Sequence, residues 1–261
     1  VETPYQKEYA RRRTGTTAVQ YLHRYKLLSD KMTLGHGVWL TEDDIDILAE
    51  SDVHICHCPS SNLRLCSGIA PLTRLTERGI GVAIGIDEAG INDDRDILQE
   101  MRFALNLHRE PGMENAAPSH EEVFRMATEA GAQTTPFGTQ IGTLKPGKAA
   151  DITLIRWEQI AGPYIDSDVP VIRAMLHRAK SSGIDTVVVA GEPIYRDGRF
   201  TRIDKEAAVR ELAESLQVPL TPGEEYRRKI AGDIYPHVEA FYTGYLRSDA
   251  RNPYYRRNSS V

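Results

Sequence analysis

The sequence predicts an α/β fold, and three observations carry the prediction. First, three short apolar runs each end on a polar residue: Thr33-Leu34-Gly35-His36, His54-Ile55-Cys56-His57 and Val82-Ala83-Ile84-Gly85-Ile86-Asp87. Second, these runs lie about 20 to 30 residues apart with a helical pattern in each gap, the pitch of βαβ units around a parallel sheet. Third, a Val- and Thr-rich stretch with Gly turns follows further along, as in a small β domain. In a parallel (β/α) barrel, side chains at the carboxyl ends of successive strands converge on one face. Two imidazoles (His36, His57) and the Asp87 carboxylate gathered there point to a metal-dependent hydrolytic site.

Each element has a local reason. Residues 18–28 carry Val19, Leu22, Tyr25 and Leu28 at a three-residue rhythm that suits a helix. A strand is expected at 31–36. Thr41 and Asp44 resemble an N-cap and its capping-box partner, and Ile45, Leu48 and Ala49 form one side of the helix they open. A second strand follows at 53–58. The helix at 69–78 stops at Gly79, a third strand covers 80–86, and a helix covers 96–108. Ser119 and Glu122 predict another helix start, with the helix running to Gly131. After residue 138, Ile141 to Ile155 reads as turn then strand. Thr186 to Arg199 reads as two strands joined at Gly191-Glu192, with a further turn at Asp197-Gly198. Residues 204–216 form an amphipathic helix, and a polar, aromatic tail begins at Val218. The expected divisions are 1–138, 139–203 and 204–261.

Composition narrows the function classes. The chain has 261 residues, is 41% apolar and 26% charged, and carries a formal charge of −5 with both signs interspersed. Such a surface gives no footprint for nucleic acid. No apolar run approaches the roughly 20 residues of a membrane helix, and the N-terminus lacks a secretory pattern. Three clustered cysteines, Cys56, Cys58 and Cys66, make no disulfide framework and no complete zinc set, so a reducing, cytoplasmic setting is expected. Strand alternation places His54 and Cys56 opposite His57, against helices.

Taken together, the motifs resemble the amidohydrolase superfamily, in its aminohydrolase and chlorohydrolase (cytosine deaminase-like) branch. His57-Cys-Pro-Ser-Ser-Asn62-Leu-Arg-Leu65 followed by Ser67-Gly68-Ile-Ala-Pro71 resembles the strand-seven signature. Gly85-Ile-Asp87, with Asn92 and Asp96 downstream, resembles strand eight; Leu34-Gly35-His36-Gly37 resembles strand six. Glu2 sits where the strand-five H-x-x-E motif ends, and Gly142 to Asp151 and Gly191 to Gly198 resemble strands that return to a β-sandwich. The resemblance, which runs from residue 1 to about 215, implies strands six to eight of a TIM (β/α)8 barrel plus part of a small β-sandwich. It also implies the C-terminal portion of a longer enzyme, without the H-x-H pair and the strand-five His. The chain departs from the pattern at Glu88 and Ile91, where the family has Gly and Ser, a change that bears on substrate identity.

The same resemblance implies roles. Asp87 would bind one divalent metal, Zn or Fe, and accept a proton from water that the metal activates, its pKa falling from about 16 towards 7. His36 would orient that water or substrate in a one-metal site, or ligate a second metal in a two-metal site. Glu2 would be the general acid/base, although a residue so near a terminus is expected to fray. His57 and Asn62 would support Asp87 or the substrate loop, or contact substrate. Trp39 either lines a pocket for a flat heterocycle or simply packs, and Glu88 would face substrate. The implied reaction is deamination of a nitrogen heterocycle (a purine, pterin, adenosine-type nucleoside or s-triazine) by a homo-oligomeric parent enzyme. Hydrolytic dechlorination, or a truncated and inactive chain that acts only by association, are the alternatives. The free edges of a partial barrel would invite such association.

Overall fold

The structure is a computed structural model, and it describes residues 1–88, 91, 94–109 and 118–246. Asn92 therefore lies outside the described residues. Chain order begins with α1 (Pro4–Thr14), α2 (Ala18–Arg24), β1 (Thr33–Gly35), α3 (Glu42–Glu50), β2 (His54–His57), α4 (Pro59–Arg64), α5 (Leu72–Glu77), β3 (Val82–Ile84) and α6 (Ile97–Leu107). It continues with α7 (His120–Ala127), α8 (Glu129–Gln133), β4 (Ile152–Ile155), α9 (Trp157–Ala161) and α10 (Val171–Arg178). The last elements are β5 (Ile184–Val189), β6 (Glu192–Arg196), β7 (Arg199–Phe200), α11 (Lys205–Ser215) and α12 (Pro222–Tyr242).

The fold is mixed α/β. Strands β1, β2 and β3 form a parallel sheet in that order, with Leu34 opposite Ile55 and His57 opposite Ile84. Their apolar face (Ile55, Val82, Ile84) packs on Leu48 from α3, Leu75 from α5, Met101 and Leu105 from α6, and Val123 from α7. The other face is polar and open: Thr33 and Gly35 are exposed, and His54 and Cys56 are half-buried. Strands β4 to β7 form a separate antiparallel sheet. Among the described residues no helix is long and apolar enough to cross a membrane.

Several local expectations change. His57 is the residue that turns into the helix layer, 1% exposed, while His54 and Cys56 lie on the open face. The alternation was read correctly but assigned to the wrong side, because a polar residue at a strand end says nothing about which face the helices cover. The helix expected over 119–131 breaks at Thr128 (φ −125°, ψ −84°) into α7 and α8. Helix α4 follows β2 directly, between the expected strand and the expected helix. Pro59 starts it, and the carboxylate of Glu100, fully buried in α6, accepts from Ser60 N at 3.0 Å. Helix α1 was also unanticipated, because no residue in it is buried and it lacks an apolar stripe. The tail from Val218 holds the longest helix. Thr221 and Glu224 build its capping box, and it continues through an internal Pro236.

Candidate functional site

The site forms where β1 and β3 end. Gly37 follows His36 with φ +60°, and a Cβ there would meet Ile55 Cγ2 at 3.0 Å, so the chain needs glycine to turn away from the strand. Gly85 plays a similar part ahead of Asp87, since a Cβ there would fall 2.6 Å from Cys56 Sγ. His36 and Asp87 themselves adopt left-handed backbone, φ 68° and 62°. A β-carbon makes that region unfavourable, so non-glycine residues there are uncommon, and the strain they carry is characteristic of functional sites.

The two side chains turn toward each other, with His36 Nε2 3.8 Å from Asp87 Oδ2 and also 3.8 Å from Glu2 Oε2. All three are largely covered: their side chains are 19%, 25% and 20% exposed for His36, Asp87 and Glu2. The surroundings hold each in place. Ser61 Oγ donates to Asp87 Oδ2 at 2.6 Å, and Glu88 N donates to Asp87 Oδ1 at 2.8 Å. The His36 Nδ1 and Asn62 Oδ1 atoms lie 2.9 Å apart. Ser67 Oγ donates to Glu2 Oε1 at 2.8 Å, and Trp39 Nε1 donates to the Ser67 carbonyl at 2.7 Å.

Glu2 is therefore held rather than frayed. Its N–H donates to Gln6 Oε1 at 2.8 Å, and the Val1 carbonyl accepts from Val38 N at 2.9 Å. Position in the chain had argued for fraying, but backbone hydrogen bonding decides it.

The structure brings Glu2, His36 and Asp87 together, with Asn62 and Trp39 touching the same shell, but not His57. That ring turns into the helix layer, where its Nε2 lies 3.1 Å from His108 Nε2. Burial first, then the nearby His108 and His36 rings, push its pKa down to about 3; burial pushes His108 to about 4. Both rings are neutral near pH 7. Glu88 is exposed and reaches the site through its backbone. Sequence reasoning missed Ser61, Ser67 and His108. The first two belong to the quoted Ser-Ser-Asn and Ser-Gly runs, but only the tertiary fold gives them partners.

His36 Nε2 and Asp87 Oδ2 suit a divalent metal. An ion held at about 2.0 to 2.2 Å by one nitrogen and one carboxylate oxygen separates its donors by roughly 3 to 4 Å, and 3.8 Å lies in that range. Among the described residues no group of three or more His, Cys, Asp or Glu is gathered for a metal, so these two donors alone do not complete a metal site.

Comparison with known proteins identifies a family and a fold. A family model described as the amidohydrolase family matches residues 2–194. A 5-methylthioadenosine/S-adenosylhomocysteine deaminase from Pyrococcus horikoshii is 37% identical over 75% of this chain and 45% of its own length. An adenosine deaminase from Xanthomonas campestris with bound zinc superposes with a TM-score of 0.76 at 28% identity, over 82% of this chain and 48% of that one. An atrazine chlorohydrolase from Arthrobacter aurescens, complexed with zinc, gives a TM-score of 0.74 at 26% identity, over 82% and 47%. The chain thus spans about half the length of the curated relatives it matches.

Proposed function

The chain belongs to the amidohydrolase family, and on that premise we propose that it supplies the C-terminal half of an aminohydrolase that deaminates an adenosine-type nucleoside. One observation carries the reading: His36 Nε2 lies 3.8 Å from both the Asp87 and the Glu2 carboxylates, at the ends of strands that share one mouth. In this reading β1, β2 and β3 are strands six to eight of a TIM barrel, and β4 to β7 belong to a β-sandwich, with boundaries near residues 138 and 203. The enzyme is cytoplasmic and homo-oligomeric. Curated relatives at 37% and 35% identity are deaminases, which favours ammonia over chloride as the product.

Asp87 and His36 would hold one divalent metal, zinc in this reading, which would supply the Lewis acidity that makes water a competent nucleophile at neutral pH. The remaining ligands come from the half of the barrel that lies outside this chain. Asp87 takes the proton of the attacking water. Glu2, in its acid form, gives its proton to the ring nitrogen as the substrate carbon becomes tetrahedral; the hydroxyl proton of that intermediate then returns to Glu2 while the proton held by Asp87 passes to the amine, which leaves as ammonia. Each transfer needs a carboxylate held at a fixed place, which the hydrogen bonds from Ser61 and Ser67 provide. Trp39 borders the substrate, and Glu88 supports Asp87 through its backbone N–H.

The test is product analysis with the zinc-loaded enzyme that contains this segment together with the complementary half. Ammonia released from 5-methylthioadenosine or adenosine is expected. Chloride from a chlorotriazine, with no ammonia from any nucleoside, would replace this reading with dechlorination, and no turnover of either class would end it.

A further inference from the structure

Two consecutive residues of α4 hold the two candidate ligands. Ser61 is fully buried and Asn62 is 1% exposed. Ser61 donates to Asp87 at 2.6 Å, and the Asn62 carbonyl oxygen faces His36 Nδ1 at 2.9 Å. Helix α4 is itself fixed at its start by the Glu100 carboxylate, so the pair stands on a rigid support. Among the described residues Asn62 Nδ2 has no hydrogen-bond partner, leaving the imidazole contact as the polar anchor of that amide.

We infer that Asn62 is a positioning residue that fixes His36 as the tautomer with its proton on Nδ1, so that the Nε2 lone pair points at the mouth shared with Glu2 and Asp87. A carbonyl oxygen accepts a proton and cannot donate one, so at 2.9 Å it pairs with an Nδ1–H and repels a bare Nδ1 lone pair. The carboxylates on the opposite side of the ring, at 3.8 Å, are too far away to be hydrogen-bond acceptors for Nε2. The closer contact sets the proton. Only a ring with a bare Nε2 can bind a cation or accept a proton from water there. The imidazole is thus prepared before any ligand arrives, by a side chain that is itself buried.

This inference rests on reading His36 as a donor in the proposed site, but its test does not need turnover. Long-range 1H–15N correlation spectra of the metal-free chain at about pH 9, well above the ordinary imidazole pKa of about 6.5, report the tautomer of each neutral ring. The His36 signals are assigned by their loss in His36→Gln. In the wild-type chain the Nδ1–H form should exceed the Nε2–H form by on the order of tenfold, the ratio that one such hydrogen bond supports. Asn62→Asp, which keeps an acceptor, should retain that preference, and Asn62→Leu should shift the ring towards the Nε2–H form while the His57 and His108 signals stay in place. A wild-type His36 with its proton on Nε2, an Asn62→Asp chain that reverses the tautomer, or an Asn62→Leu chain that keeps the wild-type ratio would each overturn the inference. If Asn62→Leu does not fold, the wild-type and Asn62→Asp spectra decide. A failed tautomer prediction leaves the aminohydrolase reading standing, and a failed product analysis leaves the tautomer result intact.

Discussion

The buried pair His57 and His108 makes stability depend steeply on mild acid. In the folded chain their pKa values are pushed down to about 3 and about 4, chiefly by burial, whereas an unfolded histidine titrates near 6.5. Above pH 6.5 neither state carries these protons and the pair has no effect on the pH slope. As pH falls through 6.5 the unfolded chain gains two protons that the folded chain refuses, so stability is lost progressively toward the folded values. The slope approaches about 1.36 kcal/mol per pH unit for each ring once the unfolded form is protonated. Between pH 7 and pH 5 that amounts to about 2 kcal/mol per histidine and about 4 kcal/mol for the pair, a large part of the roughly 5–15 kcal/mol that stabilises a typical domain. Urea unfolding at the two pH values measures it, comparing the wild type with a His57→Leu/His108→Leu double variant. Other groups titrate alike in both proteins and cancel, so the wild type should lose about 4 kcal/mol more than the variant. Equal losses would show that these rings are protonated in the fold and that the proposed burial effect is wrong.

Other perturbations have equally definite outcomes. Gly85→Ala should destabilise by about 1–3 kcal/mol, since its Cβ would sit 2.6 Å from Cys56 Sγ; in a double-mutant cycle, Cys56→Ala should recover much of that loss, and strict additivity would contradict the clash. Leu48→Ala, at a fully buried core position, should cost about 2–5 kcal/mol by chemical denaturation. In the complete enzyme Glu2→Gln should lower kcat by about 10²- to 10⁴-fold with an unchanged melting temperature, and unaltered turnover would remove Glu2 from proton transfer. Equilibrium dialysis of the present chain should find zinc bound weakly, because its described residues gather no three-donor cluster. Tight one-to-one binding would refute the partial ligand set.

What the sequence determined by itself was the order of parts and the family. Apolar runs at regular spacing require strands, capping pairs such as Thr41 and Asp44 require helix starts, and the His36, His57–Asn62 and Asp87 runs identify the family without coordinates. These signals are local, so one chain segment suffices to express them. The tertiary structure alone decided which polar residues meet. It turned His57 away from the mouth to His108, which lies 51 positions along the chain, and tied Glu2 to Ser67 across 65. It also left α12 with its apolar positions Tyr226, Ile230 and Val238 exposed, where the sequence read only a tail. The physical reason is the same in each case. A hydrogen bond or a covered face depends on what lies across space, and a sequence pattern carries the spacing along one element but not the identity of the surface opposite it.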